Sequence, residues 1–297
     1  DHIYTEKGWY NTDLDRARLT KNPIITHGEQ IMEGDSIYYD GGIDYGEAYS
    51  NVVLTDTVQE MVVYGHYAEY DRHKHYSYVT DSTVAVMIDR TDSLFLHADT
   101  LWIITDSADQ AKKMHAYYKV KFYRTDLQGM CDSMTYTIAD STLTLYKDPV
   151  LWSDENQLTS DSIKIIYANK EIDSLVLHDN CFIASRDDTA TFNQIKGKNM
   201  VGYFSNNELY KITVSGNSQT IYFVREDDGS LIGINKVVSS KMRISIKDND
   251  IKTITYIDMP KATLFPEEQV PLEERRLKGF NWIEGRRPLS KHDIFTW

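Results

Sequence analysis

The sequence predicts an all-β protein, an open stack assembled from a repeated two-strand unit. Three observations predict it. A pair of strand motifs recurs along most of the chain, apolar and polar residues alternate with a period of two inside those motifs, and turn-forming clusters separate them. Internal repeats decide architecture ahead of local propensity, because each unit buries its apolar face only against its neighbours.

The first strand of the unit reads Asp-Ser-apolar-x-apolar. The second reads Leu-x-Leu-x-x-(Asn or Asp)-x-apolar. The clearest copies run from Leu127 to Ile183: Cys131-Asp-Ser-Met-Thr-Tyr136 followed by Leu143 to Trp152, then Ser160-Asp-Ser-Ile-Lys-Ile165 followed by Leu175 to Ile183. Taken in chain order, Ile3 to Tyr10 already follow the pattern, and the first partner strand is Leu19-Thr-Lys-Asn-Pro-Ile24. Gly34-Asp-Ser-Ile-Tyr-Tyr39 pairs with Tyr49 to Leu54, degenerate Gly65 to Tyr70 with Tyr76 to Asp81, and Ala98-Asp-Thr-Leu-Trp-Ile103 with Met114 to Phe122. Beyond the clear copies come Gly197 to Gly202, Ile212 to Asn217, Ser239 to Ile244 and Ile254 to Pro260. The period is roughly 30 residues and drifts to about 40 near the C-terminus, as variable turns in a stack allow.

These runs read as strands because Ser162-Ile163-Lys164-Ile165 and Met134-Thr135-Tyr136 alternate as a half-buried strand must. They are rich in Tyr, Ile, Val and Thr, which suit a pleated surface. Asp106-Ser-Ala-Asp109, Asp154-Glu-Asn156, Asn169-Lys-Glu171 and Ser205-Asn-Asn207 supply turns. Pro23, Pro149 and Pro260 lack the ladder donor, so strand starts, bulges or edges are expected there. No strong amphipathic helix precedes about residue 265 by the same pattern test. The repeat domain is therefore drawn over 1–264, and 265–297 as a non-repeat tail or cap, helical or extended, over the last strands.

One alternating face is large and apolar. Ile37, Tyr39, Leu101, Ile103, Met134, Tyr136, Ile163, Ile165 and Met200 come from the first strands, and Leu143, Leu145, Leu175 and Leu177 from the partners, with Ile212 and Val214 beyond. The simple reading is a core. The functional reading is that two layers fail to close, leaving an apolar trough. Around Gly65 and Gly197 the sequence leaves the facing open, since a one-residue slip inverts it.

The 297 residues carry a net charge of −13, which argues against nucleic acid or an anionic membrane surface as partner. No run of 18 or more apolar residues spans a membrane. Because the repeat pattern starts at once, the chain is expected to begin after a removed leader or a truncated segment. Cys131 and Cys181 fall in adjacent copies; buried free thiols are expected, and a disulfide is permitted outside the cytosol. His66, His73, His75 and His97 invite a metal reading, but no nearby Cys or Glu completes a tetrahedral set. The Asp of the motif recurs with the period, so it is structural in each copy. No metal, cofactor or catalytic residue is expected.

At these motifs the chain resembles the OstA-like/LptA-like family of periplasmic lipopolysaccharide transport proteins. Family strands read Gly-Asp-Ser-apolar-x-Tyr, followed by apolar-x-Leu-x-Gly-Asn-Pro-Val. The best matches are Cys131 to Tyr136 with Leu143-Thr-Leu-Tyr-Lys-Asp-Pro-Val150, and Ser160 to Ile163 with Leu175-Val-Leu-His-Asp-Asn180; Gly34 to Tyr39 also fits. The resemblance runs from roughly Tyr10 to Thr263. The chain is longer than a minimal bridge protein, the Gly of the Gly-Asn pair is usually replaced, and the Tyr-rich form looks like the Bacteroidetes branch. What the resemblance implies is an elongated, twisted, V-shaped β-jellyroll in the periplasm. Its groove would hold lipid A acyl chains of lipopolysaccharide, lined by the thirteen stripe residues from Ile37 to Met200, from the first strands and the partners, named above. It also implies partners joined by edge-strand addition, namely other transport components and further copies head to tail, and no catalysis. A structural or adhesive β-solenoid without lipid is the alternative; a carbohydrate-active β-helix enzyme would need an acidic cleft that breaks the repeat.

Overall fold

The computed structural model describes residues 2–88, 92–108, 110–169, 171–226, 228–247, 250–266 and 271–297. Asp109, Lys170 and tail residues 267–270, read above as turn or tail, lie outside the described residues. The described chain is antiparallel β-structure with three short 3-10 turns in the tail, Leu272–Arg275, Glu284–Arg286 and Asp293–Phe295. It divides into two compact units, one running up to Ala139 and including Pro288–Trp297, the other Asp140–Arg287.

The first unit holds β1 (His2–Tyr4), β2 (Lys7–Asn11), β3 (Arg16–Lys21), β4 (Ile24–His27), β5 (Gln30–Glu33), β6 (Ser36–Asp40), β7 (Tyr45–Asp56), β8 (Met61–Asp71), β9 (Tyr76–Met87), β10 (Leu94–Thr105), β11 (Ala111–Tyr123) and β12 (Gln128–Thr137). The second holds β13 (Thr142–Tyr146), β14 (Val150–Ser153), β15 (Asn156–Thr159), β16 (Ser162–Ala168), β17 (Glu171–Arg186), β18 (Phe192–Ser205), β19 (Glu208–Arg225), β20 (Leu231–Lys247), β21 (Asp250–Ile257) and β22 (Lys261–Pro266).

Long strands bend once near the middle, and short ones come in pairs split at the same place. The register breaks lie between Tyr49 and Val52, Tyr64 and Tyr67, Tyr117 and Val120, His178 and Cys181, and Ser215 and Ser218. The motifs sit at these corners. The Asn/Asp of the partner strand takes left-handed backbone angles at Asn51 (φ 51), Asp148 (φ 54), Asn180 (φ 52) and Asn217 (φ 53), and Ser82 (φ 58) does so in its place in another copy. Short polar side chains tolerate that region best. Pro23, Pro149 and Pro260 each follow a residue with left-handed angles, Asn22, Asp148 and Met259, where no ladder donor is required.

Each corner passes the chain from a front layer, containing β3, β6, β13 and β16, to a back layer, containing β4, β5, β14 and β15. In each unit the result is two antiparallel layers joined along a crease, the open jellyroll expected from the repeat. At the crease the layers converge, so the residue before each corner Asp, or its equivalent, is small: Gly34, Gly65, Ala98, Cys131, Ser160, Gly197 and Ser239. A Cβ on Gly65 would lie 2.3 Å from Val79 Cγ1, and one on Gly197 2.3 Å from Val214 Cγ1. Both cysteines are free and buried. Burial pushes the Cys181 thiol up to about 12, which keeps it protonated and inert.

Residues Leu272–Trp297 do not extend the layers. In the second unit the tail lies on the outer side of the back layer. Phe182, Ala184, Ile221, Phe223, Ile234 and Leu277 form one buried cluster, with Phe280 and Trp282 packed against it. Cys181 to Ala184 is therefore buried on both faces, one by the front layer and one by the tail.

Candidate functional site

In each unit the stripe residues fall on one face of that unit's front layer, in two cross-strand rows. In the first unit the row next to the crease runs Leu19, Ile37, Ala48, Ala68, Val79, Leu101, Ala116, Met134, each opposite the next. The outer row runs Ala17, Tyr39, Gly46, Tyr70, Ser77, Ile103, Met114, Tyr136. In the second unit the crease row is Leu145, Ile163, Leu177, Met200, Val214, Met242, Tyr256, and the outer row Leu143, Ile165, Leu175, Gly202, Ile212, Ile244, Ile254. Sequence reasoning named the thirteen large stripe residues, with Ile212 and Val214 beyond, but not Leu19, Tyr70, Val79, Met114, Met242 or Ile244. It passed over Ala48, Ala68 and Ala116, whose methyl groups carry no strand-pattern signal, and it did not place Gly65 and Gly197 at the crease.

In the first unit burial grades away from the crease: Ile37 and Leu101 are buried, whereas Tyr39, Ile103 and Tyr136 in the outer row are only half-buried. In the second unit the crease residues Ile163 and Met200 and the outer residues Ile165 and Ile244 are all buried. In the second unit, Leu158 and Ile183 of the back layer meet Leu175, Leu177, Met200, Gly202, Leu209 and Ile212 of the front around an apolar cavity of about 20 Å³. That space holds about one water, which nothing apolar there would bind.

The outer face of the front layer in the first unit is polar and aromatic. Glu47 and Glu69 sit opposite each other. Hydroxyls of Tyr45 and Tyr49 donate to Glu47 at 2.7 and 2.6 Å, and those of Tyr67, Tyr76 and Tyr78 to Glu69 at 3.0, 2.5 and 2.9 Å. Burial alone would push the Glu69 carboxyl up; the tyrosine donors outweigh it and hold it below the usual range. Burial and the same carboxylate push the Tyr78 phenol up to about 12, so it stays a donor. Tyr78 and Trp102 rings stack at 4.6 Å. The abundance of tyrosine signalled broad sheets, but not this network: Tyr45, Tyr49 and Tyr67 flank their glutamates two residues away on the same strand, and Tyr76 and Tyr78 reach Glu69 from the next strand.

The histidines do not converge on a metal. His73 and His75 lie at the turn between β8 and β9, and His97 is buried beneath Phe295 with its ring 5.0 Å away. Among the described residues no group of three or more His, Cys, Asp or Glu side chains is arranged to hold a metal ion. Among them, too, no helix is long and apolar enough to cross a membrane.

Residues 63–173 match the family model described as LptA/(LptD N-terminal domain) LPS transport protein. This segment belongs to the LptA/LptD N-terminal family. The LptA/LptD-type segment includes the Cys131 and Ser160 copies of the motif and the row residues from Ala68 to Ile165. Among solved structures, the chain is similar to LptH, the LptA homologous periplasmic component of the conserved lipopolysaccharide transport device from Pseudomonas aeruginosa. Identity is 11%, the TM-score 0.34, and the alignment covers 40% of this chain and 83% of that one. No curated protein matches the chain.

Proposed function

We propose that the chain is a lipopolysaccharide transport component that holds acyl chains of lipid A against the inner face of its front layer. The observation that carries this reading is the pair of apolar rows, continuous from strand to strand within each unit, in a chain whose LptA/LptD-type segment supplies part of both. Half-buried apolar side chains such as Ile103 and Met114 lose water on contact with a hydrocarbon chain, at about 0.8 kcal/mol per methylene buried. Sugars and phosphates of the same lipid would stay in water. Movement along such a face exchanges like for like, so it needs no chemistry from this chain, and no residue is assigned a catalytic role.

The reading places the protein in the periplasm. Its exposed edge strands, β1 with β2 and β21 with β22, would pair with other transport components or with further copies. The test is direct. Delipidated protein is mixed with purified lipopolysaccharide and followed by native mass spectrometry and gel filtration. A stable complex, lost on Met134→Asp but kept on the outward-facing Thr135→Asp, is the expected result. Protein that never takes up lipid overturns the proposal in favour of a structural β-stack, the reading that the nearly filled interior of the second unit favours for that part of the chain.

A further inference from the structure

Resting on the lipid reading, we infer that acyl chains are held by the first unit alone, and that the interior of the second unit is a self-filled structural core. The two units use the same two rows with different side chains. At the crease row the first unit places Ala48, Ala68 and Ala116, which contribute only methyl groups to the space between the layers. At the same ladder positions the second unit places Leu145, Ile163 and Leu177. The outer rows differ in the complementary sense. In the first unit Tyr39, Ile103 and Met114 are all half-exposed, whereas in the second the central members Ile165 (3% exposed), Ile212 (9%) and Ile244 (0%) are buried and only Leu143, Leu175 and Ile254 are half-buried.

Exposure at constant hydrophobicity is informative. Large apolar side chains with no reason to face water are normally covered. In the second unit Ile165, Ile212 and Ile244 are covered by the protein itself, and the space between the layers closes down to a cavity of about 20 Å³. A small-molecule site typically needs about 300 Å³ or more, so lodging an acyl chain there would require prising apart a packed core. In the first unit the aliphatic and aromatic row stands ready at the surface, above a crease row in which Ala48, Ala68 and Ala116 interrupt the larger Leu19, Ile37, Val79, Leu101 and Met134. The tyrosines suit the boundary, since each pairs an apolar ring with a hydroxyl that can face head groups or water.

The experiment uses the full wild-type chain, so no variant has to fold. A synthetic lipid A with a diazirine in one acyl chain is bound and irradiated, and the adducts are mapped by peptide mass spectrometry. Adducts are expected on peptides carrying Ile103, Met114 and Tyr136. Those carrying Ile165, Ile212 and Ile244 should show about tenfold fewer, the ratio that a preference of about 1.4 kcal/mol gives. Equal labelling of both sets, or an excess in the second unit, overturns this inference and leaves the lipid reading standing. Labelling that excess unmodified lipid A does not compete away overturns the lipid reading itself.

Discussion

Asn180 donates its side-chain amide to both carboxylate oxygens of Asp161, at 3.0 and 3.1 Å. Asn51 makes the same contact with Asp35, at 3.2 and 3.0 Å. The backbone agrees: Asp161 N–H donates to Asp179 O at 3.0 Å, and Asp35 N–H to Ser50 O at 2.9 Å. The recurring Asp of the first strand and the recurring Asn of the second are thus two halves of one corner clasp. Neither is a catalytic group. The pair is expected to be coupled, with Asp161→Ala and Asn180→Ala each costing about 1 kcal/mol and the double variant little more than either. Urea denaturation of the cycle checks this; strictly additive losses would remove the clasp from the argument.

The crease tolerates only small side chains. Gly197→Ala places a methyl group against Val214, a β-branched residue with little rotamer freedom, and should destabilise by about 1–3 kcal/mol. Val214→Ala in the same chain should recover much of that loss, since it vacates the position that the new methyl needs. Gly65→Ala with Val79→Ala is the parallel case in the first unit. A Gly197→Ala variant that melts with the parent protein would show that the layers stand further apart.

The tail is held by buried glutamines. Gln194, 1% exposed, accepts the Leu277 N–H at 2.8 Å and donates to Arg275 O at 2.9 Å. Gln157 does the same for Ile283 N–H and Asn281 O, at 2.7 Å each. Each side-chain amide thus imitates the edge of a strand for an extended segment. Gln194→Ala removes the bonds to Leu277 N–H and Arg275 O beside an apolar cluster and is expected to cost about 2–4 kcal/mol. Limited proteolysis between Arg275 and Phe280 should accelerate in step with the loss of stability. Unchanged cleavage would mean that Leu277 and Phe280 hold the tail without the amides.

These residues also mark how far the sequence could be read. The alternation at Ile163 and Ile165 and the motif period were enough to place the thirteen stripe residues on a common face in each unit, because side-chain direction in a strand is fixed by parity. Leu19, Val79, Met114, Met242 and Ile244 of the same rows lie in copies whose parity the sequence left unread. The clasp was half legible. Asp161 and Asn180 were visible as recurrent, but their contact joins strands separated by a turn of unspecified length. Which face of the strands the tail would cover was not legible. Gln157 and Gln194 sit in strands as ordinary polar residues until something covers them, and Leu277, Phe280 and Trp282 lack any period that would say which face they seek. The glutamate–tyrosine network around Glu69 escaped for a related reason: its donors come from strands β8 and β9, and no linear spacing encodes a cross-strand neighbour.

His97 gives the fold a pH dependence with a definite sign. Its Nδ1 lies 2.9 Å from Thr83 O, as an N–H donor to that carbonyl, and its ring packs under Phe295. On its own face it sits opposite Lys121, whose ammonium reaches Thr296 O at 2.5 Å; Asp99 and Lys119 are the other charges that act on it. Burial disfavours the imidazolium and holds the pKa below the ordinary 6.5, outweighing the help that Thr83 O and Asp99 give the charged form. The unfolded chain therefore binds the proton more readily than the folded one. The contribution to stability is complete above about pH 6.5 and declines as the pH falls below it toward the folded value. Melting curves should shift to lower temperature between pH 7.5 and pH 5.5. His97→Gln, which can keep a donor near Thr83 O without a titrating group, should flatten that part of the profile. Because Phe295 covers the ring, cleavage of the last residues should rise over the same interval in the parent protein and stay level in the variant. Identical pH profiles for the two proteins would show that some other group sets the acid limit.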